Sequence, residues 1–448
     1  MTHSHIAATA APTYSPSSDR DLIPKVPPKE WSHLQLLGFR FLVIYFLLYS
    51  FPGPIAEVPY LDIVQKPFDA LWRAVVPWVG AHVLRIPQPI SLQPSGSGDK
   101  LFDWVQVFSM LVLAMLAAVA WTLIDRKPRS HEKLAAAFRI FLRFQLAGIL
   151  FSYGFDKIFP NQFEAMNPLR LTQYFGEASP GGFAWSFLGF SVAYEIFAGS
   201  MEALAASLLL FRRTSTLGAI IGAGTLANVF MLNMCFDVPV KQFSGHLLLM
   251  CIVLVAYDAD RLLNVFVRQR GTDGPRFVEL FTTRRSLIAA RVFGALLAAC
   301  MIVQDVRSEY RGLHEFGRLA PRQPLYGIYE VNNVVKNGVT QPALLTDITR
   351  WRRLAVAARG ARVRLVNDSL VPYRIRTDSS TRVTTLTPFP DTLNKLVGSY
   401  AFPDSSHLVI RGRVGTDSIE IAFTRRREDS YLVVSRGFRW VNEFPYFR

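Results

Sequence analysis

Seven apolar runs, each close to the length that crosses a bilayer, fill the chain between residues 36 and 303 and leave it few folds to choose from. They lie at about 36–51, 104–123, 134–157, 191–211, 217–234, 243–257 and 287–303. A bilayer core needs about 20 predominantly apolar residues per helix. The expected fold class is therefore a membrane all-α helical bundle over 36–305, with seven spans. Half of the 448 residues are hydrophobic and 34 are Phe, more than a soluble enzyme of this size needs. The net charge of +15 does not indicate nucleic acid, because the basic residues gather in short loops rather than along one face. Arg126, Lys127, Arg129 and Lys133 form one cluster, Arg212 and Arg213 another, and Arg261, Arg268, Arg270, Arg276, Arg284 and Arg285 the third. Basic loops stay on the cytoplasmic side. The expected topology is a multi-pass membrane protein with the N-terminus cytoplasmic and the C-terminal part outside the cytoplasm.

The flanks read differently. Residues 1–35 are polar and Pro/Ser-rich, which suits a disordered or interfacial cytoplasmic arm. Residues 55–100 form a periplasmic interfacial segment. Within it, 68–86 carries Arg73, Pro77, His82 and Arg85 beside two Trp, a pattern that favours a helix on the membrane surface over a span. From 322 to 448 the apolar runs give way to alternating segments such as HLVIRGRV and SIEIAFTRR, split by turn signals that include Asn337-Gly338. That pattern predicts an antiparallel β-barrel, with a short helix over LLTDITRWRRLAV leading into one strand.

Ionisable groups at bilayer depth are expensive and usually face a bundle interior. Tyr153 and Lys157 stand four apart near the outer end of the third span and share a face. Tyr194, Glu195 and Glu202 lie on the fourth, and Asp237 and His246 at the outer ends of the fifth and sixth. Lys157 is either a snorkelling anchor or a base, and Tyr153 either belongs to an interfacial belt or helps to bind substrate. Depth alone predicts that Tyr153, Lys157, Tyr194, Glu195, Asp237 and His246 converge on one pocket near the outer leaflet. Lys157 and Glu195 are its candidate catalytic pair, and Tyr153, Tyr194, Asp237 and His246 its substrate-binding groups. Arg143 and Glu202 are expected to form a structural ion pair deeper down. Gly218-x-x-x-Gly222 has the small-residue spacing of a close helix crossing. Cys235, Cys251 and Cys300 are isolated, so neither a dithiol nor a zinc set is present and no metal is expected.

The segments YGFDKIFPNQF, YEIFAGSMEALAASLLLFRRTSTLGA, NVFMLNMCFDVPVK and SGHLLLM together resemble the DoxX family of bacterial membrane proteins, and the ending RGFRWVNEFPYFR resembles DoxX-like proteins with a lipocalin-like appendage. The resemblance implies a DoxX-like bundle in a bacterial inner membrane, a periplasmic lipocalin-like C-terminal domain and a link to quinone-coupled oxidoreductases. A more distant similarity to the transmembrane domain of vitamin K-dependent carboxylases implies that Lys157, in Tyr153-Gly154-Phe155-Asp156-Lys157-Ile158, stands where those enzymes keep a basic lysine in A-G-x-x-K-L. The chain departs from that motif at Tyr153.

Two functions follow as expectations. One is a redox-linked protein that binds a quinone or another lipophilic substrate near the outer leaflet. The other is a non-catalytic membrane subunit or assembly factor in a membrane protein complex, whose barrel binds a partner or lipid.

Overall fold

The computed structural model describes residues 31–53, 62–125, 131–272, 274, 278–391 and 393–445. The N-terminal arm up to residue 30, the basic residues Arg126, Lys127 and Arg129, and Arg276 lie outside the described residues.

All seven apolar runs are helical: α1 His33–Tyr49, α3 Leu101–Ile124, α4 Glu132–Ile158, α7 Val192–Leu210, α8 Ser215–Cys235, α9 Lys241–Ala256 and α11 Arg284–Glu315. Five of them, α3, α4, α7, α8 and α11, are long and apolar enough to cross a membrane. The other two, α1 and α9, are shorter at 17 and 16 residues. Between α1 and α3 lies α2, Asp62–His82, with Pro67 and Pro77 inside it. It buries Trp72 and Val76 while Trp78 stays exposed. Residues 159–190, between the third and fourth apolar runs, contain the short α5 Pro168–Leu171, a 3-10 turn Phe175–Glu177 and α6 Pro180–Phe190. Ser179 starts α6 by accepting from Gly182 N, and Pro180 at the first helical position is preset for it. After α9, α10 spans Ala259–Phe266.

The bundle closes where side chains are smallest. A Cβ on Gly154 of α4 would stand 3.0 Å from Gly199 O and Ala203 N of α7, and one on Gly199 would stand 2.5 Å from Gly154 O and 2.6 Å from Lys157 Cβ. The two backbones touch there, so only glycine fits. The Gly218/Gly222 spacing works as its sequence suggests. Gly218 meets Leu209 N and Ala205 O of α7, and Gly222 meets Cys251 Sγ of α9. Around these crossings Leu142, Leu146, Leu150, Leu209, Met250 and Leu254 form a dry core.

The C-terminal part is a closed antiparallel barrel, as the alternation predicts. Its strands are β1 Gly327–Lys336, β2 Val339–Thr340, β3 Trp351–Ala357, β4 Gly360–Leu365, β5 Leu370–Asp378, β6 Val383–Pro388, β7 Leu396–Asp404, β8 His407–Val414 and β9 Asp417–Arg426. β3 to β9 follow one another in order, β1 pairs with both β3 and β9 to close the wall, and β2 is a stub folded back on β1. The β1–β2 turn uses Asn337 and Gly338 at φ 51° and 80°, the backbone that an Asn-Gly hairpin favours. Tyr329, Leu354, Val356, Val363, Leu386, Leu408, Ile410 and Phe423 point inward as the barrel's core. The helix expected before β3 does not form. Asp347 Oδ1 instead accepts from Thr349 N, Thr349 Oγ1 and Arg350 N, a local turn that competes with a helix.

Barrel and bundle meet at Arg364 of β4. Its guanidinium is buried and bonds both Glu177 oxygens at 2.7 and 2.8 Å, Thr172 O at 3.3 Å and Asp368 O at 3.0 Å. It also stacks 3.8 Å from the Tyr174 ring, and Tyr174 donates to Asp368 at 3.3 Å. The hydrogen bonds from Arg364 hold the Glu177 carboxyl below its ordinary range.

Two predictions follow from these contacts. Gly199→Val should lower the thermal midpoint of the purified protein by several degrees, since overpacking a tight core typically costs about 1–3 kcal/mol. An unchanged midpoint would show that α4 and α7 do not touch there. For the clamp, a carboxyl with a lowered folded pKa adds stability that is present above the unperturbed value, about 4.3. That stability is lost as pH falls through the lower folded value. Limited proteolysis of the bundle–barrel connection should therefore accelerate on acidification below the ordinary glutamate range, and Glu177→Gln should cleave faster at neutral pH and lose most of the acid response.

Candidate functional site

Depth along the spans suggested partners that the helix crossing reassigns. Lys157 Nζ bonds Glu202 Oε2 at 2.7 Å and Tyr153 O at 3.2 Å, both charges being buried. The expected Arg143–Glu202 pair does not form. Arg143 sits near the middle of α4 and donates to Leu209 O and Leu210 O at 2.8 Å, the free carbonyls that end α7. Glu202 is seven residues, about 10 Å of helix, away from Leu209. The Gly154–Gly199 contact sets this register, placing Lys157 Cβ beside Gly199 so that its ammonium reaches Glu202, two turns deeper along α7 than Glu195.

Glu195, fully buried, is held by Arg318 at 3.0 Å and by Phe163 N at 3.1 Å. Arg318 lies just past α11 and also donates to Gly189 O. Neither Lys157 nor Glu195 lines a described cavity. Tyr194 is about half exposed. Asp237, in a left-handed turn at φ 53°, pairs with Lys241 at 2.7 Å and borders a small cavity with Arg170 and Trp185. The six residues expected in one pocket are thus spread over separate contacts, with Tyr153 and Lys157 together as neighbours on one face.

A different site emerges beside Tyr153. A cavity of about 560 Å³ lies among the C-terminal end of α1, the first turns of α3, the second half of α4 and the start of α9. Its apolar wall includes Val107, Met110, Ile149, Phe243, Met250 and Met301. Its polar wall is Tyr49, Ser50, Gln65, Asp103, Gln106, Gln145, Tyr153 and Gln242. Ser50 Oγ, Gln145 Oε1 and Gln242 Oε1 are buried with no hydrogen-bond partner among the described residues. Leaving such an atom unpaired costs about 1–3 kcal/mol. Volume, apolar lining and a few polar groups are what a small-molecule site needs.

Local structure fixes this wall. Asp99 accepts from Lys241 N at 2.7 Å and Gln242 N at 3.0 Å. It thereby caps the positive end of α9 from the loop before α3. Asp103 accepts from Lys100 N at 2.9 Å, and Gln242 Nε2 donates to Asp103 O at 3.3 Å. Behind the wall, His246 Nδ1 lies 2.7 Å from Gln242 O and Nε2 lies 2.5 Å from the Tyr45 hydroxyl. A carbonyl only accepts, so Nδ1 carries a proton and donates to Gln242 O. His246 is thus bonded at both ring nitrogens and stacked 4.0 Å from Tyr49. It supports the cavity from one layer back rather than lining it.

Tyr49, Asp103, Gln106, Gln145 and Gln242 were missed by a search for ionisable groups at mid-span. The available signal was Gln106 and Gln145, uncharged amides inside otherwise apolar runs. Among the described residues no group of three or more His, Cys, Asp or Glu is placed to hold a metal ion, and Cys235, Cys251 and Cys300 are free thiols.

Comparison with known proteins adds one relative. No family model matches the chain and no solved structure does. A Bacillus subtilis (strain 168) protein described as the uncharacterized protein YwoB is 39% identical over 146 residues, which is 32% of this chain and 88% of that protein. Identity at that level over most of the smaller protein is decisive for kinship: the chain belongs to the family of the uncharacterized protein YwoB.

Proposed function

We propose that the chain is a multi-pass membrane protein, DoxX-like in its bundle and lipocalin-like in its barrel, that holds a lipophilic molecule by its polar head in the cavity beside Tyr153. The observation that carries this reading is the cavity itself, with buried oxygens of Ser50, Gln145 and Gln242 that have no hydrogen-bond partner among the described residues. A quinone is the candidate occupant suggested by the DoxX resemblance. The reading does not use Lys157 or Glu195 as catalysts, since each already has an ion-pair partner. Lys157 and Glu202 act in it as a structural pair inside the bundle.

The exposed apolar side chains of α11, among them Ile288, Val292, Phe293, Leu296 and Val303, suit a lipid-facing helix. The expected seven spans follow if the shorter α1 and α9 cross together with the five longer helices. Among the described residues, Lys133, Arg212, Arg213, Arg261, Arg284 and Arg285 fall at one end of the bundle, and the cavity, together with the Thr172–Glu177 loop that contacts the barrel, at the other. By the positive-inside rule that other end is periplasmic in a bacterial inner membrane.

A second reading, a non-catalytic subunit of a membrane complex, is favoured by the segment after β9. There Phe438, Trp440, Val441 and Phe444 are largely exposed beside Arg436 and Arg439, as a partner-binding segment would be.

For topology, cysteines introduced at Arg213 and Thr340 should differ in intact cells, with only Thr340→Cys labelled by an impermeant reagent; equal labelling would refute the orientation. For the occupant, organic extraction of the purified protein should release a lipophilic molecule at near-stoichiometric amount, and Ile149→Trp, which fills the cavity from α4, should lose it while keeping the wild-type thermal midpoint within a few degrees. A protein that carries nothing and binds no added quinone or lipid would favour the subunit reading.

A further inference from the structure

The polar wall of the cavity also restricts the chemistry of what enters it, and this step rests on the cavity reading above. Gln242 is fixed by its own bonds. Its Nε2 is engaged by Asp103 O, so its unpaired atom is Oε1, which only accepts. Asp103 adds a carboxylate that accepts only Lys100 N and has no ion pair among the described residues. The hydroxyls of Tyr49, Ser50 and Tyr153 either donate or accept, and the amide of Gln145 does both once rotated. The fixed requirement is therefore for donors. No Lys, Arg or His is among the described residues that line the cavity, so nothing there offsets an anionic head, and Asp103 repels one.

We infer that the cavity selects an amphiphile with an uncharged head that donates hydrogen bonds through hydroxyl groups, in preference to heads that only accept and to anionic heads. A hydroquinone and a glycerol-headed lipid both meet this description. An oxidised quinone, with carbonyl and ether oxygens only, offers no donor to Gln242 Oε1 or to Asp103, and a phosphate head brings a second negative charge to Asp103. Sites built to bond a hydroxyl discriminate strongly against analogues that lack it, because their own buried groups are then unpaired.

The test uses the full chain in an amine-oxide detergent, whose head has no donor to compete. Binding of decylubiquinol, decylubiquinone, monoolein and oleoyl phosphate is measured by microscale thermophoresis, the quinol under anaerobic conditions. At least one of decylubiquinol and monoolein should bind about tenfold or more tightly than decylubiquinone, with oleoyl phosphate the weakest. Gln242→Met should narrow that preference to within a few-fold. Tight binding of decylubiquinol alone identifies a quinol site, and of monoolein alone a glycerolipid site. Decylubiquinone or oleoyl phosphate binding as tightly as both donor-headed probes overturns the inference but leaves the cavity reading standing. If no probe binds, both fall. The comparison among probes on the unaltered protein decides the matter even if Gln242→Met fails to fold.

Discussion

The contact between Gly154 and Gly199 sets the geometry on which the bundle depends. Two helix backbones that touch cannot slide past each other without driving a carbonyl into a Cα. With α4 and α7 locked in this register, Lys157 meets Glu202 and Arg143 meets the last carbonyls of α7. Each charge then finds a partner inside the packed bundle. A shift of one turn along α7 would leave Lys157, Glu202 and Arg143 unpaired together, and an uncompensated buried charge costs several kcal/mol. The steric contact and the electrostatic pairing therefore select the same register.

The opposite wall of the bundle is organised by a loop. Asp99 follows the Ser/Gly-rich stretch before α3, and its carboxylate holds the two leading amides of α9. This pins the start of α3 to the start of α9, places Asp103 against Gln242 and leaves a gap toward α4. The cavity is the space between α4 and the corner where the starts of α3 and α9 are joined, with the end of α1 beside it. That origin explains why its polar groups are glutamines, tyrosines and a helix-capping aspartate rather than ion pairs. The charges had been used to fix the register elsewhere.

Element identity was legible in the sequence, and partnership was not. Apolar length marked every long helix, and period-two alternation with Asn337-Gly338 marked the barrel. The α6 helix was hidden by its Pro and Gly residues, which read as loop although Ser179-Pro180 is also a helix start. Lys157, Glu195, Glu202 and Arg143 were recognisable as buried, but pairing depends on helix register. A residue count from the span ends misjudged that register by two turns. His246 was expected in a pocket and instead braces Tyr49 from behind, because its bonds run to Gln242 O and Tyr45. The cavity residues stayed invisible because uncharged amides carry a weaker signal than charges, and because five chain segments distant in sequence build one wall.

The barrel is tied to this same helix pair. Arg318, between α11 and β1, reaches Glu195 at the start of α7 and Gly189 at the end of α6. Arg364 of β4 reaches Thr172 and Glu177 in the connection between α4 and α6. A domain held at one point swivels; a domain held at two, on segments that both lead into α7, has far less freedom. The two anchors also differ in strength against solvent. Glu195 is fully buried at its pair, whereas Glu177 keeps about a third of its side chain in contact with solvent. Screening acts on exposed charges and hardly on buried ones. Salt and acid should therefore release the Glu177 side first, leaving the barrel attached through Arg318 and hinged on the end of α11.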